Sequence, residues 1–127
     1  MKLAVDTNAY SAAARNEPRV LALVRAADRV ILPFIALAEL RAGFAAGTVG
    51  RKNEAALIRF LASPRVDVQY ADEQTTHHYA ALFAQLRRQG TPIPTNDLWI
   101  AALVLQHDLV LCTSDTHFDS LPQIARA

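Results

Sequence analysis

The chain has 127 residues, 52% of them hydrophobic and 20% charged, and its thirteen basic and twelve acidic side chains leave a net charge of +1. These values fit one globular domain over residues 1–127 with a sizeable core, and exclude a disordered polymer or a protein drawn to nucleic acid or membrane by its overall field. No apolar run approaches the roughly 18 residues of a membrane span. Asp6 interrupts "MKLAVDTN" too early for a signal peptide, and a lone cysteine, Cys112, rules out an intrachain disulfide, so a cytoplasmic protein without membrane contact is the default expectation.

Taken in chain order, Lys2–Val5 reads as a buried strand that stops on Asp6. Pro18 suits the first turn of a helix through "RVLALVRAA", and Val30–Leu32 is a second buried strand. The Ala/Leu-rich stretch "PFIALAELRAGFAAG" is helical, with Gly43 and Gly47 loosening its end. Arg51–Leu61 has apolar residues near i, i+3, i+4 spacing, places Glu54 on its exposed face, and stops before Pro64. Val66–Gln69 is the third strand. "DEQTTHHYAALFAQLRRQG" opens on acids, closes on arginines and ends at Gly90, which matches the helix dipole and a glycine C-cap. After the rigid "TPIPT", a helix through "NDLWIAALVLQHD" takes Thr95 or Asn96 as its cap, and Leu109–Cys112 is the fourth strand, with Cys112 a buried, inert thiol. Strands alternating with helices predict an α/β fold with a mostly parallel sheet covered on both faces.

Four acids fall at positions such a fold gathers together. Asp6 follows the first strand, Glu39 lies in the helix after the second, Asp97 is in the first turn of the last long helix, and Asp115 follows the last strand. Each has a plain structural alternative. Asp6 and Asp97 are good caps, Asp115 is a good turn residue, and Glu39 could be a solvated helix position. Glu39 fits its alternative least, because "FIALAEL" surrounds it with apolar residues where an unpaired charge is costly. Four carboxylates in one cleft repel unless a cation neutralises them, and an all-oxygen set suits Mg²⁺ or Mn²⁺ rather than zinc. His77, His78, His107 and His117 lack zinc-site spacing with the single cysteine and read as surface or supporting residues. No GxGxxG, Walker A loop or GxSxG elbow is present, which argues against nucleotide cradling and serine hydrolysis.

These stretches resemble the PIN-domain ribonucleases, and among them the VapC-type toxins of bacterial type II toxin–antitoxin pairs. "VDTNAYS" resembles the family's opening strand and first acid, "ALAELRAG" its "ELxxG" helix, "TNDLWIAALVL" its "ND…IAA" helix and "LVLCTSDTHF" its "TxDxxF" motif. The four occur in order from Lys2 to about Leu121. The resemblance implies a PIN-like three-layer α/β/α sandwich and Mg²⁺- or Mn²⁺-dependent hydrolysis of RNA phosphodiester bonds. By position it assigns Asp6, Glu39, Asp97 and Asp115 to the catalytic metal site; of these, Asp6 and Asp97 are read as direct ligands, and Glu39 and Asp115 as acting through water or orienting the nucleophile. Thr7, Asn8 and Thr113 become the polar neighbours that hold them. It also implies a VapB-type antitoxin as partner and a homodimer. Where the family has "IPGL" this chain has "LPQI", so the shape of the tail is left open, and Asp119 reads as an exposed turn residue. A different class of function, a catalytically inactive PIN-like module that binds protein or RNA, would have no need of all four acids. The apolar content of "PFIALAELRAGFAAG" and "AALIRFLA" suggests a groove between those two helices for an amphipathic partner helix.

Overall fold

Leu3, Ala4 and Val5 are each 1% exposed or less, so the first strand shows no polar alternation: both of its faces are covered. The computed structural model describes residues 1–127. Its elements run β1 (Lys2–Val5), α1 (Thr7–Ala14), α2 (Pro18–Ala26), β2 (Arg29–Pro33), α3 (Phe34–Ala46), α4 (Gly50–Leu61), β3 (Val66–Gln69), α5 (Glu73–Gln89), α6 (Thr95–Gln106), β4 (Val110–Cys112) and a 3₁₀ turn (Thr116–Ser120).

The four strands form one sheet in the order β3-β2-β1-β4, and all pairings are parallel. Alternate strand residues feed two separate cores. Leu3, Val5, Val30, Leu32 and Cys112 pack with α1–α4 on one side, while Ala4, Ile31 and Leu111 pack with α5 and α6 on the other. The result is the three-layer α/β/α sandwich. The tail closes the β4 edge: the Leu111 N–H donates to the Ala125 carbonyl, and the Ala127 N–H donates to the Leu111 carbonyl. Leu121 and Ile124 are buried beneath it, so "LPQI" anchors the tail without the family's glycine.

Local signals behave as the chain suggests, with two exceptions. Pro18 opens α2, Asp72 and Thr75 form a capping box on α5, and Gly90 ends that helix at φ 70°, a left-handed conformation that costs glycine little. The cap of α6 is neither Thr95 nor Asn96. It is Pro94, at φ −55° and ψ 145°, because the proline ring already holds the geometry from which the helix departs. Glu54 is half-buried rather than exposed, because Arg41 of α3 grips it through Nε at 2.9 Å and Nη2 at 3.2 Å.

Candidate metal centre

The sheet changes direction of winding at β1, whose neighbours are β2 on one side and β4 on the other. In open parallel sheets the crevice beyond the strand ends at such a point is where ligands bind. Asp6 leaves the end of β1 there, and Asp115 leaves the end of β4.

Asp6 is 5% exposed and serves two purposes. Its Oδ1 accepts from the Ala9 N–H at 2.8 Å, capping α1, and its Oδ2 accepts from the Thr113 hydroxyl at 2.5 Å. The same Thr113 oxygen accepts the Asp115 N–H at 3.0 Å, so one hydroxyl joins the two acidic strand ends. Asp115 in turn caps the 3₁₀ turn, with Oδ1 accepting from the His117 N–H at 2.9 Å. Glu39, half-buried on α3, is held through Oε1 by the Thr7 hydroxyl at 2.8 Å. Asp97 sits in the first turn of α6, where the helix dipole favours negative charge, and its Oδ2 receives His117 Nδ1 at 2.7 Å.

Electrostatics ties these groups together. Burial pushes the Asp6 carboxyl above its ordinary range; the hydrogen bonds from Thr113 and Ala9 oppose this, and negative charge on Asp115 and Asp97 adds to it. Burial also raises Asp97, against its hydrogen bond with His117, and Asp115 and Glu39 push it the same way. His117 moves up in response, chiefly through its hydrogen bond with Asp97. All four acids that the sequence singled out therefore lie in one electrostatic neighbourhood. The tightest group is Asp97, Asp115 and His117, each of which offers one ligand atom within 4.8 Å of the others. Asp6 and Glu39 stand outside that tight group.

A family model described as "PIN domain" matches residues 3–124. The chain belongs to the PIN-domain family. Ribonuclease VapC1 of Haemophilus influenzae strain R2866 is 36% identical over 115 residues, covering 86% of this chain and 83% of that protein. Among solved structures, VapBC-1 from nontypeable Haemophilus influenzae superposes with a TM-score of 0.87 at 31% identity, covering 100% of this chain and 97% of the other. DNA-bound VapBC from Salmonella typhimurium gives a TM-score of 0.88 at 27% identity, with coverage of 100% and 97%. The PIN-domain chain is thus similar to VapC-type members over its whole length.

Three placements in this PIN domain refine the sequence reading. Asn8 is exposed and makes no hydrogen bond to the acids, unlike Thr7 and Thr113; it lines a recess beside them. Asp119 is exposed and paired with Arg126 at 2.7 Å, away from the acids. His117 joins the acids more intimately than its spacing suggested. The only signal for it was its position two residues after Asp115, in a turn short enough to fold the ring back.

Proposed function

We propose that this PIN domain is a divalent-cation-dependent endoribonuclease and the toxin of a toxin–antitoxin pair. The observation that carries the reading is the convergence of Asp97, Asp115 and His117 within 4.8 Å, beside a buried Asp6 whose carboxyl is pushed up partly by their charge. Three acids and Glu39 against one imidazole leave negative charge in excess, which a cation would relieve. Carboxylate oxygens fit Mg²⁺ or Mn²⁺, and His117 Nδ1 is engaged with Asp97.

Asp6, Glu39, Asp97 and Asp115 are the groups assigned to the ion. When bound, such an ion lowers the pKa of a water nucleophile and neutralises charge on the phosphate. The chain's own residues supply orientation. Thr113 holds Asp6 and the Asp115 loop with a single hydroxyl, as supporting partners do around metal ligands. Thr7 holds Glu39 Oε1 and leaves Oε2 without a protein hydrogen bond, free to take a proton from an attacking water. His117 fixes Asp97 from the solvent side.

The test is cleavage of single-stranded RNA with Mg²⁺ or Mn²⁺ and with EDTA, for wild type, Asp6→Asn and Asp97→Asn. Metal-dependent cleavage that both substitutions remove is expected. Cleavage that persists in EDTA or in Asp6→Asn would overturn the assignment.

The partner side of the proposal draws on relatives solved as VapBC assemblies. Between α3 and α4 lies a recess lined by Phe44, Gly50, Ala55 and Ile58, flanked by Arg41 and Arg51. Gly50 lets the start of α4 close against the end of α3, since a Cβ there would meet the Phe44 carbonyl oxygen at 2.6 Å. This groove suits the apolar face of an antitoxin helix. An arginine from that partner, reaching the acids, would pair with carboxylates and inhibit without a covalent step. A homodimer belongs to the same reading, and sedimentation of the purified chain tests it.

A further inference from the structure

Thirteen basic residues are scattered over the surface, and nothing in the sequence singles out the ones that hold a substrate. The cavities do. Beside Asp6, a recess of about 300 Å³ opens between α1, the start of α2 and the end of β4. Two of its walls, Ala9 and Thr113, are the two residues that hydrogen-bond to Asp6. Its rim is polar, with Asn8, Ser114 and Arg19 all exposed. Arg19 is the only basic residue lining it. Arg19 lines the recess together with Cys112 and Thr113 at the end of β4, and Thr113 is the residue whose hydroxyl holds Asp6.

The geometry points to this recess as the subsite for the nucleotide next to the scissile phosphate, with Arg19 holding a backbone phosphate of single-stranded RNA. The inference rests on the nuclease reading and adds the direction in which the strand leaves the acids. The volume lies at the lower end of the range for small-molecule sites, with apolar walls and a few polar groups on the rim. Asn8 and Ser114 supply hydrogen-bonding groups of the kind that meet a base edge or a 2′-hydroxyl. Glu17, the one acid on the rim, spends its carboxylate on α2: Oε1 accepts from the Arg19 N–H and Oε2 from the Val20 N–H. The Arg19 side chain gives one Nη2 hydrogen bond to the main-chain oxygen of Ala127 at 2.9 Å and keeps its other donors for a phosphate.

The test measures the Kd of a short, labelled, mixed-sequence single-stranded oligoribonucleotide in EDTA over a series of salt concentrations. Wild type, Arg19→Gln and Arg25→Gln are compared. Arg25 is an exposed control at the far end of α2, about 9 Å along its axis. Arg19→Gln should weaken binding severalfold whatever the sequence, and lower the slope of log Kd against log salt by about 0.7, the loss of one phosphate contact on a single strand. In cleavage assays with Mg²⁺ it should raise KM and leave kcat unchanged, whereas Arg25→Gln should change neither. Cleaving wild type together with an Arg19→Gln variant of unaltered affinity and slope would overturn the subsite and leave the nuclease standing. A wild type that neither binds nor cleaves RNA would overturn both.

Discussion

One imidazole faces two carboxylates: His117 Nδ1 lies 2.7 Å from Asp97 Oδ2 and 2.9 Å from Asp115 Oδ1. This ring is the only basic side chain paired with the acids of the cleft. Its exposure keeps the interaction screened, while Asp97 and Asp6 are more enclosed.

A pH dependence follows from these contacts. The Asp6 and Asp97 carboxyls are raised above 3.8 in the folded state, so their contribution to stability is fully present in strong acid and is lost as pH rises through the raised values. His117 is raised above 6.5, so its contribution is present below that value and is lost as pH rises through the folded one. Both effects have the same sign. In EDTA, the Tm should fall as pH is taken from mild acid to above neutrality. His117→Asn should flatten the upper part of that curve, and Asp97→Asn should flatten both parts. A Tm that climbs with pH across this window in the wild type would contradict the electrostatic picture.

Metal should reverse the trend. A ligand confined to the folded state stabilises it by about 2.7 kcal/mol at 100 times its Kd, so Mg²⁺ or Mn²⁺ should raise the Tm at neutral pH. Asp97→Asn should remove that gain and, by relieving like-charge repulsion, leave the metal-free protein at least as stable as wild type. Differential scanning calorimetry with and without the ion decides the matter, and an undiminished metal response in Asp97→Asn would sink the site.

The two threonines give graded effects. Thr113→Val removes the donor to Asp6 Oδ2 and the acceptor for the Asp115 N–H, and Thr7→Val frees Glu39 Oε1. Supporting partners of this kind are worth about 10–100-fold in metal affinity or activity. Thr113→Val should be the costlier, because two acids depend on it. Equal cleavage by both variants and wild type would mean that the acids are positioned without them.

Glu39→Gln should lose most RNA cleavage, whereas Glu73→Gln, exposed at the start of α5, should lose little. Glu54 is unsuitable as the comparison because its ion pair with Arg41 bridges α3 and α4. Single-turnover rates in saturating Mg²⁺ measure the difference, and matching rates would return Glu39 to an ordinary helix position.

The proposed antitoxin groove is testable on its outer wall. Ile58 is 54% exposed, so Ile58→Glu should fold normally, cleave RNA like wild type and fail to co-purify with the product of a co-expressed antitoxin gene. Retained co-purification would move the contact elsewhere.

The strands and the order of the acids were legible because both are local facts: short β-prone runs between helical segments, with Asp6 and Asp115 just past the first and last strands and Glu39 and Asp97 on helices. Lys2–Val5 and Val66–Gln69 were read to the residue. What was not legible depended on partners distant in sequence. Nothing in Arg51–Leu61 announces that Arg41 will fold over Glu54 from the neighbouring helix. The α6 cap was misread because side-chain capping residues were sought where proline geometry sufficed. His117 reads from the sequence only as a surface or supporting residue, because a histidine without zinc spacing carries no sharper signal until Asp97, twenty residues earlier, is folded beside it. The Arg19 recess has no sequence signature, since its walls come from three separate segments.

The bond between Thr113 and Asp6 spans 107 positions of the chain. During synthesis, β1 meets β2 early, but it waits for β4 until every other strand and all six helices have been made. A ribosome stalled anywhere before that strand carries a product with neither Thr113 nor Asp115, and a truncated fragment is equally incomplete. The proposed nuclease site is therefore incomplete while β1 to α6 are being made, and its cleft comes together only when β4 docks at the edge of the sheet, against β1.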